Sequence, residues 1–327
     1  MTQKIIIAAL AVFLTLSCKN ETKSTQEKSQ NEAIQEKNQE TFFKISLAQW
    51  SLNEPIRNGK MNPLDFADKA NELGFKGIEY VSQLYTPMME TFDSPEIALD
   101  SILPILKAKT DKYGIKNVLI MFDHEGPLSA KDDAERNQAV ENHKKWVDAA
   151  QYLGCHSIRV NLQGADDEKA WKEASIKGLT SLADYAATKN INVIVENHGG
   201  FSSNGEKLME VINGVNKENV GTLPDFGNFC MRLKDPADYW SGCAEEYDMY
   251  KGVQEMMPKA FGVSAKTFNF DDEGNETDID FTRMLQLVKD AGYTGFVGIE
   301  YEGDDLEPEE GIILTRKLLI KDAQNVK

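Results

Sequence analysis

From residue 43 onward the apolar positions of the chain repeat one unit. A short apolar run is followed by polar or glycine-containing residues, then by a stretch with apolar residues at i, i+3, i+4 and i+7. The short runs are KISLAQW (44–50), GIEYV (77–81), NVLIMF (117–122), SIRVNL (157–162), NVIVEN (192–197), VGTLPD (220–225), AFGVSAK (260–266) and FVGIEY (296–301). Between them PLDFADKANELG, NHKKWVDAAQYLG, GLTSLADYAATKN and DFTRMLQLVKDAG carry the helical period. Several of these end in the glycine that favours a helix C-terminus. Strands that alternate with helices imply parallel pairing, because each crossover needs a helix. Strands that are apolar almost throughout imply burial on both faces. Eight such units predict an α/β fold, a (β/α)8 TIM barrel, over a doubly wound open sheet, whose glycine-rich turn is missing after the first strand. The sixth unit is the least regular, being short and carrying Pro224.

The first 41 residues do not fit this unit. Lys4 precedes IIIAALAVFLTL (5–16), an apolar run of signal-peptide length, followed by Ser17 and Cys18. LTLSCKN is similar to a bacterial lipoprotein signal in which the cysteine becomes the lipidated first residue; an uncleaved short anchor is the alternative. Residues 19–41 hold almost no apolar side chains and are expected to form a disordered tether. The chain is thus divided into a signal peptide (1–18), a linker (19–41) and one barrel domain (42–327), exported to the periplasm or held at the outer membrane by lipid alone.

Composition narrows the partners. Of 327 residues 41% are hydrophobic and 27% charged, as a globular domain requires. The net charge of −17 disfavours nucleic acid, whose phosphates want clustered Lys and Arg. With Cys18 set aside, Cys155, Cys230 and Cys243 remain, an odd number that does not make a disulfide framework. Buried free thiols are expected, with a Cys230–Cys243 pair as the alternative in an oxidising compartment. No CxxC spacing suggests a zinc site. Self-association is left open.

A barrel of this kind places its active site at the carboxyl ends of the strands. Those ends carry Gln49 and Trp50; Glu79 and Tyr80; Asp123, His124 and Glu125; Arg159 and Asn161; Glu196, Asn197 and His198; Asp225 and Asn228; Ser264 and Lys266; and Glu300, Tyr301 and Glu302. Some have a structural explanation. Glu79 is expected to pair with Arg159 inside the barrel, Trp50 and Tyr80 can cover its mouth, and His143 and His156 read as structural. Glu196, Asp225 and Glu300 resist such an explanation, because converging buried carboxylates raise one another's pKa. A divalent cation removes that penalty; carboxylates favour Mg²⁺ or Mn²⁺, and added imidazole would favour Zn²⁺.

VIVENHGG (193–200), LPDFGNF (223–229) and GFVGIEYEG (295–303), in this order, resemble the sugar isomerase/epimerase superfamily of xylose-isomerase-like TIM barrels, which includes the endonuclease IV type. The resemblance covers roughly residues 42–325. It implies a divalent metal held by Glu196, Asp225 and Glu300. In place of the histidine usual at the remaining ligand position stands Ser264, two residues before Lys266. His198 is a candidate substitute ligand, and the Lys266 ammonium could partly replace the cation. The implied activity is isomerisation or epimerisation of a free sugar or sugar derivative, by proton abstraction next to a carbonyl with the enediolate stabilised by metal. Glu196 and Glu300 are then the acid–base pair, and His198 and Lys266 face the enediolate oxygen. Trp50, His124, Arg159, Asn161 and Glu302 are expected to contact substrate, and Gly199–Gly200 to turn the loop away. The same residues could instead expel a substituent, which makes a lyase or dehydratase acting on 3-keto-glycosides or keto-polyols the nearest alternative. A sugar-binding lipoprotein without catalysis is a further one.

Overall fold

Each of the eight apolar runs becomes a parallel strand. The computed structural model describes residues 41–235, 237–238 and 241–327; the signal peptide and almost all of the linker lie outside them. The barrel strands are β1 (Lys44–Ala48), β2 (Gly77–Val81), β3 (Lys116–Met121), β4 (Ser157–Val160), β5 (Asn192–Glu196), β6 (Val220–Leu223), β9 (Val263–Thr267) and β10 (Phe296–Tyr301). Their order is β6-β5-β4-β3-β2-β1-β10-β9, every pair parallel. Eight principal helices alternate with them: α1 (Phe66–Glu72), α2 (Pro95–Tyr113), α3 (Asp133–Leu153), α4 (Glu168–Ala187), α5 (Gly205–Val215), α6 (Met249–Met256), α7 (Phe281–Asp290) and α8 (Pro308–Ala323). Six of these begin at side-chain caps: Ser94, Asp132, Asp167, Asn204, Asp248 and Asp280 each accept a backbone N–H from the first helical turn.

The barrel closes between β6 and β9, and this joint differs from the others. Pro224 offers no N–H to extend a ladder, so β6 stops at Leu223, short of the predicted Asp225. Isolated bridges, Thr222 with Ala260 and Asp225 with Ser264, finish the cylinder. They rest on Phe261 N donating to Thr222 O (3.0 Å), Ser264 N to Pro224 O (2.9 Å) and Phe226 N to Ser264 O (3.1 Å).

The periodicity did not predict the antiparallel hairpin that follows β6, β7 (Cys230–Leu233) and β8 (Cys243–Glu246). It corrects the expectation of free thiols, since Cys230 and Cys243 form a disulfide across it, with Cα atoms 5.6 Å apart. Among the described residues Cys155 is free and buried. The bonded pair is 13 positions apart in sequence, and the register of the hairpin sets Cys243 opposite Leu233, within reach of Cys230.

The expected Glu79–Arg159 pair does not form either. Glu79 accepts a 2.6 Å hydrogen bond from Ser46 Oγ. It lies against Gly298, where an added Cβ would sit 2.6 Å from its carboxylate oxygens. Burial, opposed by the Ser46 hydrogen bond and reinforced by Glu300 and Glu196, pushes the Glu79 carboxyl up to about 8. His143 is buried, with Nδ1 2.6 Å from the Ala139 carbonyl on its own helix, which is a structural role.

Candidate active site

The carboxyl ends of β4, β5, β6, β9 and β10 bring one polar network together. Glu196 is the last residue of β5 and 1% exposed; Asp225 follows β6 and is 0% exposed; Glu300 lies on β10 at 5%. Gly199 and Gly200 both take positive φ, 85° and 62°, which turns the chain away directly after the β5 end.

Two cations divide the carboxylates between them. Arg159 on β4 is 4% exposed; its Nη1 pairs with Asp123 and its Nε lies 2.8 Å from Glu196 Oε2. Lys266 on β9 is 2% exposed, with Nζ 3.1 Å from Glu302, 3.6 Å from Glu300 and 3.9 Å from Asp225. Asn228 joins the halves: its Nδ2 donates to Glu196 Oε1 at 2.8 Å, and its Oδ1 accepts from Lys266 Nζ at 3.1 Å. Ser264 Oγ donates to Glu300 Oε2 at 3.0 Å. Asn197 fixes the Asp225 backbone by accepting from its N–H (2.7 Å) and donating to its carbonyl (3.0 Å).

The three carboxylates act on one another. Burial raises all three; beyond that Glu300 pushes up Glu196, Glu196 pushes up Asp225, and Asp225 pushes up Glu300, with Asp225 reaching about 6. Arg159 opposes the rise at Glu196, and Lys266 opposes it at Asp225 and Glu300. Burial also acts against the charge on Lys266, yet Asp225, Glu302, Glu300 and Glu196 outweigh it and hold its ammonium well above the ordinary lysine range. Asp123 behaves in the opposite way to the three acids. Burial acts against its charge, but Arg159, His198 and hydrogen bonds from Gln83 and Arg159 hold its carboxyl far below the usual carboxylate range.

Asp123 and Asn228, which the sequence marked only as strand-end polar residues, are the hubs of the network. Gln83 Nε2 (2.7 Å) and Asn161 Nδ2 (2.6 Å) both donate to the Asp123 carboxylate. An ionised carboxylate only accepts, so both amides turn their N–H groups toward it. Their carbonyl oxygens, Gln83 Oε1 and Asn161 Oδ1, are buried without a hydrogen-bond partner among the described residues.

The remaining predicted residues are more peripheral. Trp50 is half-buried on the turn after β1, its ring 4.6 Å from the Arg57 guanidinium carbon. His124 is exposed on the loop after β3. His198 is half-buried, its backbone N–H bonded to Ser202 Oγ, and its field reaches both Asp123 and Glu196. Glu302 anchors Lys266.

Among the described residues no three His, Cys, Asp or Glu side chains converge as a ready metal cage. Asp225 Oδ2 and Glu196 Oε2 are nevertheless buried without a hydrogen-bond partner among those residues, although Glu196 Oε2 lies 2.8 Å from Arg159 Nε as an ion pair. Two such oxygens from mutually repelling carboxylates fit a hard cation of the Mg²⁺ type, which keeps much of its water and takes few protein ligands.

Residues 67–322 match the family model described as Xylose isomerase-like TIM barrel. The chain belongs to this family. Among curated proteins it is 35% identical over 66 residues to the C-glycoside deglycosidase alpha subunit of Arthrobacter globiformis, a match spanning 19% of each chain. It is 25% identical over 253 residues to the Mus musculus protein named "Putative hydroxypyruvate isomerase", covering 73% of this chain and 84% of that one. Among solved structures, IOLI protein with a bound zinc atom superposes with a TM-score of 0.62 at 16% identity, covering 87% of this chain and 99% of the other. D-psicose 3-epimerase with D-tagatose, from Clostridium cellulolyticum H10, gives a TM-score of 0.60 at 16% identity, covering 86% and 96%.

Proposed function

We propose that this member of the family is an isomerase or epimerase of a free sugar or sugar derivative, removing a proton from a carbon next to a carbonyl. The observation that carries the reading is the position of Glu196 and Glu300. Both are buried at the same end of the barrel, and burial raises both toward the range where a carboxyl can take and give a proton. In this reading Glu196, steadied by Asn228 and Arg159, takes the substrate proton. Glu300, protonated at the start and beside the Ser264 hydroxyl, gives its own proton to the other face or the neighbouring carbon, and exchange with water resets the pair. Lys266 and His198 oppose the negative charge that grows on the substrate oxygen. The Gln83 and Asn161 carbonyls suit hydroxyl donors of a polyol. Glu196, Asp225 and Glu300 would hold a divalent ion, Mg²⁺ or Mn²⁺ before Zn²⁺, which when bound polarises the carbonyl and its adjacent hydroxyl.

The names of the mouse protein and the psicose epimerase support this class. The C-glycoside deglycosidase match supports a second reading, elimination from a 3-keto-glycoside by the same acid and base. The Cys230–Cys243 disulfide supports an oxidising compartment. Together with the N-terminal apolar run it underlies the proposal that the protein is exported and anchored by lipid on Cys18.

The test is one assay of the purified protein in D₂O against a panel of ketoses and 3-keto-glycosides. Deuterium entering next to the carbonyl, with an epimerised or isomerised product and no aglycone, is the expected result. Released aglycone selects the second reading. Sugar binding without exchange on any compound removes both and leaves a binding protein.

A further inference from the structure

Lys266 has more partners than a structural ion pair needs. Its Nζ lies within 4 Å of carboxylate oxygens from three residues, and it also donates to Asn228 Oδ1. Two of the three carboxylates, Asp225 and Glu300, are among the three assigned above to a divalent ion. The side chain stands in register with Glu300 on the neighbouring strand, and Ser264, two residues earlier, pairs with Gly298. The small Ser264 spends its hydroxyl on Glu300, and the long stem of Lys266 carries a charge into the same group of acids. The stem has a seat made for it: a Cβ added at Gly227 would lie 3.0 Å from Lys266 Cδ. Arg159 serves Asp123 and Glu196, so Lys266 is the cation that faces Asp225, Glu300 and Glu302.

We infer that Lys266 is the resident cation of this half of the site and that it sets how tightly the site takes a divalent ion. The inference rests on the reading that Glu196, Asp225 and Glu300 hold such an ion. Like charges this close, out of water, oppose each other strongly. An entering ion therefore drives the ammonium back onto Glu302 and Asn228, its two nearest partners at 3.1 Å. Without an ion, Lys266 keeps the acids together. Glu302 is then the residue on which the displaced charge rests, outside the ion's own ligands.

The test is Mn²⁺ titration of the chelator-treated full chain, read from the electron paramagnetic resonance of free Mn²⁺ and therefore independent of turnover. Lys266→Met is expected to bind Mn²⁺ at least about tenfold tighter than the wild type. Glu302→Gln, which removes the resting place of the ammonium, is expected to bind it more weakly. Equal or weaker binding by Lys266→Met overturns the inference. If that variant is unfolded without ion, recovery of its circular dichroism by Mn²⁺ but not by K⁺ supports the inference, and no recovery overturns it. Asp225→Asn keeps the two readings apart. Unchanged Mn²⁺ affinity in Asp225→Asn removes the ion-holding role itself; lost affinity there beside unchanged affinity in Lys266→Met removes only the role of Lys266.

Discussion

Glu196 has one oxygen accepting from Asn228 and the other against Arg159, so Glu196→Gln keeps the side-chain length, sets one amide N–H against a donor, and removes the carboxylate proposed above as the base. Turnover of whichever sugar the panel yields is expected to fall about 10²- to 10⁴-fold with an unchanged circular dichroism spectrum. Asp123→Asn acts on the fold as well. It takes a counter-charge from Arg159 and sets a third amide against two N–H donors. A loss of about 2–3 kcal/mol is expected in urea unfolding, less than for a fully orphaned buried ion because Glu196 still faces the guanidinium. Glu79 gives a pH signature. Its carboxyl titrates near 8 when folded, against an ordinary value of 4.5, so between these values the folded state holds a proton that the unfolded chain has released. Its contribution to stability is complete below pH 4.5 and is lost as pH rises through 8. Its share of that loss is on the order of 3–5 kcal/mol between pH 4.5 and 9, and it is expected to vanish in Glu79→Gln, whose side chain resembles the neutral acid. At this scale the sequence located residues better than partners. Glu196, Asp225 and Glu300 were readable because each ends an apolar run. That Arg159 would choose Asp123 over Glu79 was not, because the choice depends on how far each side chain reaches across the barrel.

The hairpin of β7 and β8 is held where Asn228 enters the site, two residues before Cys230. Closing a loop between cysteines 13 positions apart stabilises by about 3 kcal/mol on the chain-entropy account. The double variant Cys230→Ser, Cys243→Ser is therefore expected to unfold at lower urea. Alkylation of the unfolded wild type should add two more labels after reduction than before it, measured by mass. Strand and helix elements were legible because parallel strands buried on both faces read as unbroken apolar runs, and amphipathic helices such as α7 (Phe281–Asp290) keep a regular apolar face. The hairpin was not, because its strands are short and half-buried to exposed, with polar Arg232, Glu245 and Glu246, so no alternation marks them. A cysteine count alone could not separate one disulfide plus one thiol from three thiols.

At the scale of the whole molecule, eight repeats sufficed to predict a closed barrel, because closure removes both sheet edges and eight parallel strands fill the interior with side chains. What the repeats could not show is that the staves are unequally fastened. Seven joints carry strand ladders, the one between β2 and β3 with a register shift at Ile78/Glu79, while the joint beside Pro224 is stitched only by the bridges at Thr222 and at Asp225. The second stitch is also a member of the candidate site: Asp225 stands opposite Ser264 on the adjoining stave, and its chain neighbours Pro224 and Phe226 make the backbone bonds to Ser264. A ligand that grips Asp225 and Glu300 together would span this seam and act as a rivet. Backbone amides of Phe226 and Ser264 should then exchange with D₂O sooner than those in the middle of β5 in the free protein, and slow most when ligand or ion is added.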